Sequence, residues 1–233
     1  MKKILLFLLL PVAISVSAQQ KLFNTYADSA KLVLAANEIT SSFFMKLKQP
    51  DPSYIQTPRA VLNTNIKLVF YRAENNTINL PLWSQLSPTL QSFFYKLANG
   101  DEAEGKKIFG AFFNGYFIAR ELGHTVQFTK EKGMTNKYKA DYFANTLAIL
   151  FWRGSAYSKQ LEKCYSYVNS ILKILPDPVP AGENTEDYFQ KNYEQLLQDP
   201  QKFQYFQFSQ FKIIYEDKSL KGFDGYLNNY LIR

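Results

Sequence analysis

Phe112-Phe113-Asn114-Gly115-Tyr116-Phe117-Ile118-Ala119-Arg120-Glu121-Leu122-Gly123-His124 is the stretch from which the rest of the chain can be read. It lies within a segment from about Glu104 to Phe128 that reads as one long helix. Asn99-Gly100-Asp101 breaks the chain before it, and the polar residues Lys130 to Thr135 read as a loop after it. A helix that is apolar on several sides is a buried one, so Phe109, Phe112, Phe113, Tyr116 and Phe117 are expected in the core rather than in a substrate groove. Gly110, Gly115 and Gly123 each cost up to about 1 kcal/mol against Ala in a helix interior. Their presence predicts close approach of neighbouring backbone.

Upstream, Leu32, Ala36, Ile39 and Phe43 share one face of a helix over about residues 26–47, which Pro50 and Pro52 should stop. Ile66 to Tyr71 reads as a strand, Glu74 to Thr77 as a turn, and Ile78 to Trp83 as a second strand. Pro81 in that second strand implies an edge position or an early end. Ser87 and Pro88 start a short helix that runs to Leu97. Downstream, helices are expected over Asn136 to Arg153, closed by Gly154, and over Tyr157 to Leu175. A stiff connector with Pro176, Pro178 and Pro180 follows. Asn184 caps a further helix, and Asp199-Pro200 opens a last long one carrying Phe203, Tyr205, Phe206, Phe208 and Phe211, an aromatic run read as packing. The fold class expected is α+β and helix-rich: a small sheet, then a central helix, then C-terminal helices.

The first 18 residues read as a secretory signal. Lys2 and Lys3 precede an apolar run from Ile4 to Val16, and Val16-Ser17-Ala18 has the small residues that signal peptidase accepts. The run is shorter than the roughly 20 residues that cross a bilayer, although an uncleaved anchor is the alternative. Export to the periplasm or the extracellular space is the expectation, with no membrane span after cleavage and residues 19–233 as a single domain. Cleavage takes the formal charge from +7 to +5, and no Lys/Arg run suggests nucleic-acid binding. Cys164 is the single cysteine, so no internal disulfide can form, and burial is expected for it.

The chemistry is concentrated in Arg120-Glu121-Leu122-Gly123-His124. Two histidines four apart share a helix face and can grip zinc, while a Glu beside the first activates the metal-bound water. The segment resembles the active-site helix of zincin-type metallopeptidases, whose form is His-Glu-Leu-Gly-His. Glu121, Leu122, Gly123 and His124 match; Arg120 stands where the first histidine belongs. A second stretch, Lys137-Tyr138-Lys139-Ala140-Asp141-Tyr142-Phe143-Ala144-Asn145, resembles the following helix of the glutamate-ligand zincins, in which Glu-x-x-Ala-Asn or Glu-x-x-Ala-Asp supplies the third ligand. One register puts Lys137 at the ligand position; the other puts Asp141 there and keeps an oxygen donor. The resemblance covers about residues 66–153. It implies a zincin-like domain with Glu121 at the general-base position and His124 and Asp141 as remnant metal ligands.

His124 is the only histidine of the chain, and the guanidinium of Arg120 stays protonated and has donors only. At 4 Å, one unit of its charge opposes each unit on a metal by about 4 kcal/mol at an effective dielectric of 20. The expectation is a site with no bound cofactor, an idle Glu121, and Arg120 paired to Asp141 or Glu121 in place of the lost cation. Three functions remain open. One is an exported, catalytically inactive metallopeptidase-like protein that binds a protein or peptide. The second is an active zinc-dependent peptidase with altered ligands, and the third an exported helical interaction domain unrelated to peptidases.

Overall fold

The computed structural model describes residues 22–48, 56–63, 68–131 and 135–231. The signal-peptide reading lies outside these residues, as do Pro50 and Pro52. Among the described residues the fold is α+β and helix-rich, with one small sheet. Helix α1 (Ser29–Lys48) buries Leu32, Ala36, Ile39 and Phe43, the face its spacing implied.

The sheet has three short strands, β1 (Arg59–Leu62), β2 (Phe70–Arg72) and β3 (Thr77–Leu80), in the spatial order β1-β3-β2. Sequence patterning missed β1, which pairs parallel to β3 with Ala60 opposite Ile78. The expected hairpin is present: β2 pairs antiparallel to β3, with Tyr71 opposite Ile78. Two of its details differ. The strand read over Ile66 to Tyr71 begins only at Phe70, because Leu68 sits at φ 60, outside extended geometry, while Ile66 and Lys67 lie outside the described residues. β3 stops at Leu80, just before Pro81, which takes the early end; the strand is central and not an edge, and all four of its residues are buried.

Helix α2 (Pro88–Leu97) has Ser87 as its N-cap, the hydroxyl accepting from the Leu90 N–H. The long central helix starts at Glu102 behind an Asp101 cap and has three parts: α3 (Glu102–Ala111), a π-helical turn (Phe112–Tyr116) and α4 (Phe117–Glu131). It therefore runs into what read as a loop after Phe128. A π turn holds one residue more than an α turn, so the chain's faces shift across it. That shift lets Phe109, Phe112, Phe113, Tyr116 and Phe117 all be buried, as core.

Helix α5 (Lys137–Arg153) begins behind an Asn136 cap and ends at Gly154. α6 (Ser158–Ile171) ends short of the expected Leu175, and its Cys164 is fully buried with its thiol 3.8 Å from the Ala111 carbonyl. α7 (Thr185–Leu196) and α8 (Pro200–Glu216) carry the Asn184 and Asp199 caps. α9 (Phe223–Leu231) was not anticipated.

Gly110, Gly115 and Gly123 of the central helix sit at close approaches. A Cβ on Gly110 would meet the Thr25 nitrogen at 2.6 Å, one on Gly115 the Phe23 ring at 2.5 Å, and one on Gly123 the Ala144 Cα at 2.8 Å. The last contact brings α4 and α5 together, the most extensive helix pairing among the described residues. Gly123→Ala should therefore lower stability by about 1–3 kcal/mol, since backbone cannot yield as a flexible side chain would. The midpoint of urea unfolding measures it, and an unchanged midpoint would contradict the packing.

Candidate functional site

Arg120, Glu121 and Asp141 meet where α4 lies against α5. Arg120 and His124 are one helical turn apart on α4, and Asp141 lies in the second turn of α5, on the face that also carries Ala144 and Asn145. The Arg120 guanidinium bridges the two acids. One terminal nitrogen lies 2.5 Å from Glu121 Oε1 and the other 2.6 Å from Asp141 Oδ1. All three residues are buried.

Each carboxylate has a second partner. Glu121 Oε2 accepts the backbone N–H of Tyr71 in β2 at 2.9 Å, and Asp141 Oδ2 accepts the Gln207 side-chain amide from α8 at 2.6 Å. Four elements are thereby tied to one charged centre. The Arg120 Nε is the member of this cluster that is buried without a hydrogen-bond partner. Burial opposes the Arg120 charge, but the neighbouring Asp141 and Glu121 outweigh it and hold the guanidinium above its ordinary pKa. Burial likewise works against the Asp141 charge; the Arg120 cation, followed by His124 and the Gln207 amide, prevails and holds its carboxyl below the usual aspartate value.

His124 is the partly open member, with its side chain 23% exposed and Nε2 3.4 Å from Asp141 Oδ1. Its orientation is set by Gln127, one turn on. The Gln127 amide nitrogen donates to the Ala140 carbonyl at 2.9 Å, which turns Oε1 toward His124 Nδ1, also at 2.9 Å. Nδ1 thus faces Gln127 and Nε2 faces the site. A ligand-type histidine is oriented in the same manner, through its other ring nitrogen.

A polar ladder lies behind Asp141. Asn145 accepts the Tyr116 hydroxyl at 2.9 Å and donates to Gln210 Oε1 at 3.0 Å, while Gln210 donates to the Tyr138 carbonyl at 3.1 Å. In front lies a cleft of about 780 Å³, walled by β2, α4, the start of α5 and the α7–α8 junction. Tyr71, Phe128, Tyr193 and Phe203 give it an aromatic lining. Burial, then the Asp141 charge, pushes the Tyr193 hydroxyl up to about 12.

Of the residues expected at the site, Arg120, Glu121, His124 and Asp141 come together. Lys137 reaches the cleft wall, with its ammonium 5.9 Å from the Tyr193 ring centre rather than at the acidic pair. Gln127, Tyr193, Gln207 and Gln210 were missed. The glutamines carried a signal: Gln204, Gln207 and Gln210 recur every third residue in an aromatic helix, a polar stripe on a face that is otherwise buried. No protein-family model matches the chain, and no curated protein or solved structure is significantly similar to it.

Removing the Asp141 carboxylate should be expensive. Breaking a buried pair from one side costs about 3–5 kcal/mol. Asp141→Ala would also leave the Gln207 amide without its acceptor. Because the folded pKa of Asp141 is depressed, its contribution is complete above the ordinary aspartate value and is lost as pH falls through the lower folded value. Urea unfolding of wild type and Asp141→Ala should thus show a gap that is full at pH 7 and narrows below about pH 4. A gap independent of pH would contradict the assignment.

Proposed function

We propose that this chain is an exported, non-catalytic relative of the zincin peptidases, in which Arg120 takes the place of the metal and the old cleft binds a protein or peptide. The observation that carries the reading is the guanidinium held between Glu121 and Asp141, the general-base and third-ligand positions of the motif. The order of sheet, central helix and following helix supports the kinship, as does a His124 imidazole turned toward Asp141.

A zinc ion does not fit these donors. Catalytic zinc needs three protein ligands and an open position. His124 is the one imidazole in the chain, and both oxygens of Asp141 and of Glu121 already accept hydrogen bonds. Among the described residues, no group of three or more His, Cys, Asp and Glu side chains is arranged to hold a metal. A cation approaching Asp141 would also meet the fixed charge of Arg120. That Glu121 accepts from both a guanidinium and a backbone N–H supports an idle, structural role for it.

Native protein purified from the exported fraction should begin at Gln19 and contain no stoichiometric zinc by elemental analysis. It should cleave no general protease substrate, while Arg120→His should raise the metal content. One zinc per native chain would replace this reading with that of an enzyme with altered ligands.

A further inference from the structure

We infer that Glu121 acts as a latch on the free edge of β2, holding shut the backbone position at which an extended chain would pair beside the cleft. Among the described residues, β2 is an outer strand of the sheet and pairs with β3 alone. In an antiparallel ladder, alternate residues direct their N–H and C=O groups toward the partner strand and away from it. Tyr71 is the middle residue of the three in β2, and its N–H goes to Glu121 Oε2 at 2.9 Å rather than to β3. Its amide is therefore the strand's outward donor, and the carboxylate covers it.

The latch is held from behind. Arg120 grips Glu121 Oε1 at 2.5 Å, and Arg120 is itself fixed by Asp141, so the carboxylate cannot swing away without leaving a buried guanidinium half-paired. Open strand edges are templates for pairing with other chains, and covering them is a general way of preventing it. Here the cover lies inside the cleft, where β2, Glu121 and His124 share one wall. Strand addition to β2 is thereby refused, and on the binding role proposed above a ligand is left the side chains of the aromatic lining.

Glu121→Ala removes the latch and leaves Arg120 paired to Asp141 alone. Arg120, Glu121 and Asp141 sum to one negative charge, and the substitution leaves Arg120 and Asp141 as a balanced pair. Amide hydrogen exchange and fluorescence anisotropy with a labelled Thr-Val-Thr-Val-Thr-Val peptide, both in chelator, read the latch separately from metal content. The wild-type Tyr71 amide should be protected at least 100-fold over a free amide, and Glu121→Ala should lose that protection. The same variant should bind the peptide at least tenfold more tightly than wild type. An unprotected Tyr71 amide in the wild type would overturn the latch whether or not the variant folds. Equal peptide affinity in wild type and a folded Glu121→Ala would overturn it as well.

Discussion

A guanidinium buried between two carboxylates organises the middle of this protein. Arg120 and Glu121 come from α4, Asp141 from α5, the amide that steadies Asp141 from α8, and the N–H that steadies Glu121 from β2. Such a cluster contributes little net energy by itself, because removing three charges from water costs about as much as their attraction returns. It constrains geometry instead. A displacement of any of the four elements would leave a charge or a donor without its partner, and each such loss costs on the order of 1–3 kcal/mol or more.

Two backbone features let the cluster form. Gly123 allows α4 to lie against the Cα of Ala144, so the short Asp141 side chain can reach Arg120 across the helix interface. The π turn just before α4 supplies the other. Without its extra residue, the aromatic face of α3 and the charged face of α4 would be rotated by about 100° relative to each other. With it, Phe109, Phe113 and Phe117 form one packed run while Tyr116 turns its hydroxyl toward Asn145. Local irregularity in one helix thus places both the aromatic core and the polar ladder.

Much of this was legible in the residues. The apolar spacing of α1, the caps Ser87, Asn136, Asn184 and Asp199, and the glycines at close approaches are local signals with local causes. The Arg120–Asp141 pairing was legible because a charge on a buried helix needs a partner and the register offered an acid. β1 was not legible: its four residues have no strong alternation, and they are a strand because β3 pairs with them. The π turn leaves no mark in apolar spacing when both neighbouring faces are aromatic. The Tyr71–Glu121 bond joins residues fifty positions apart through a backbone atom, which no pattern of side chains encodes.

On the proposed reading, exchanging a metal for an arginine changes what the pocket can do as well as what holds it together. A metal ion arrives from outside, gathers its ligands and keeps a coordination position open for a reacting oxygen. A guanidinium is part of the chain, present from the moment of folding, with donors that point in fixed directions and no vacant site. On that same reading, the acid at the general-base position takes a structural partner instead, the backbone N–H of Tyr71. The positive charge that fixes Asp141 also fixes Glu121, and Glu121 so fixed covers the Tyr71 N–H. What is left open is the aromatic wall of the cleft, which suits recognition by shape and apolar contact more than by chemistry at a reacting centre.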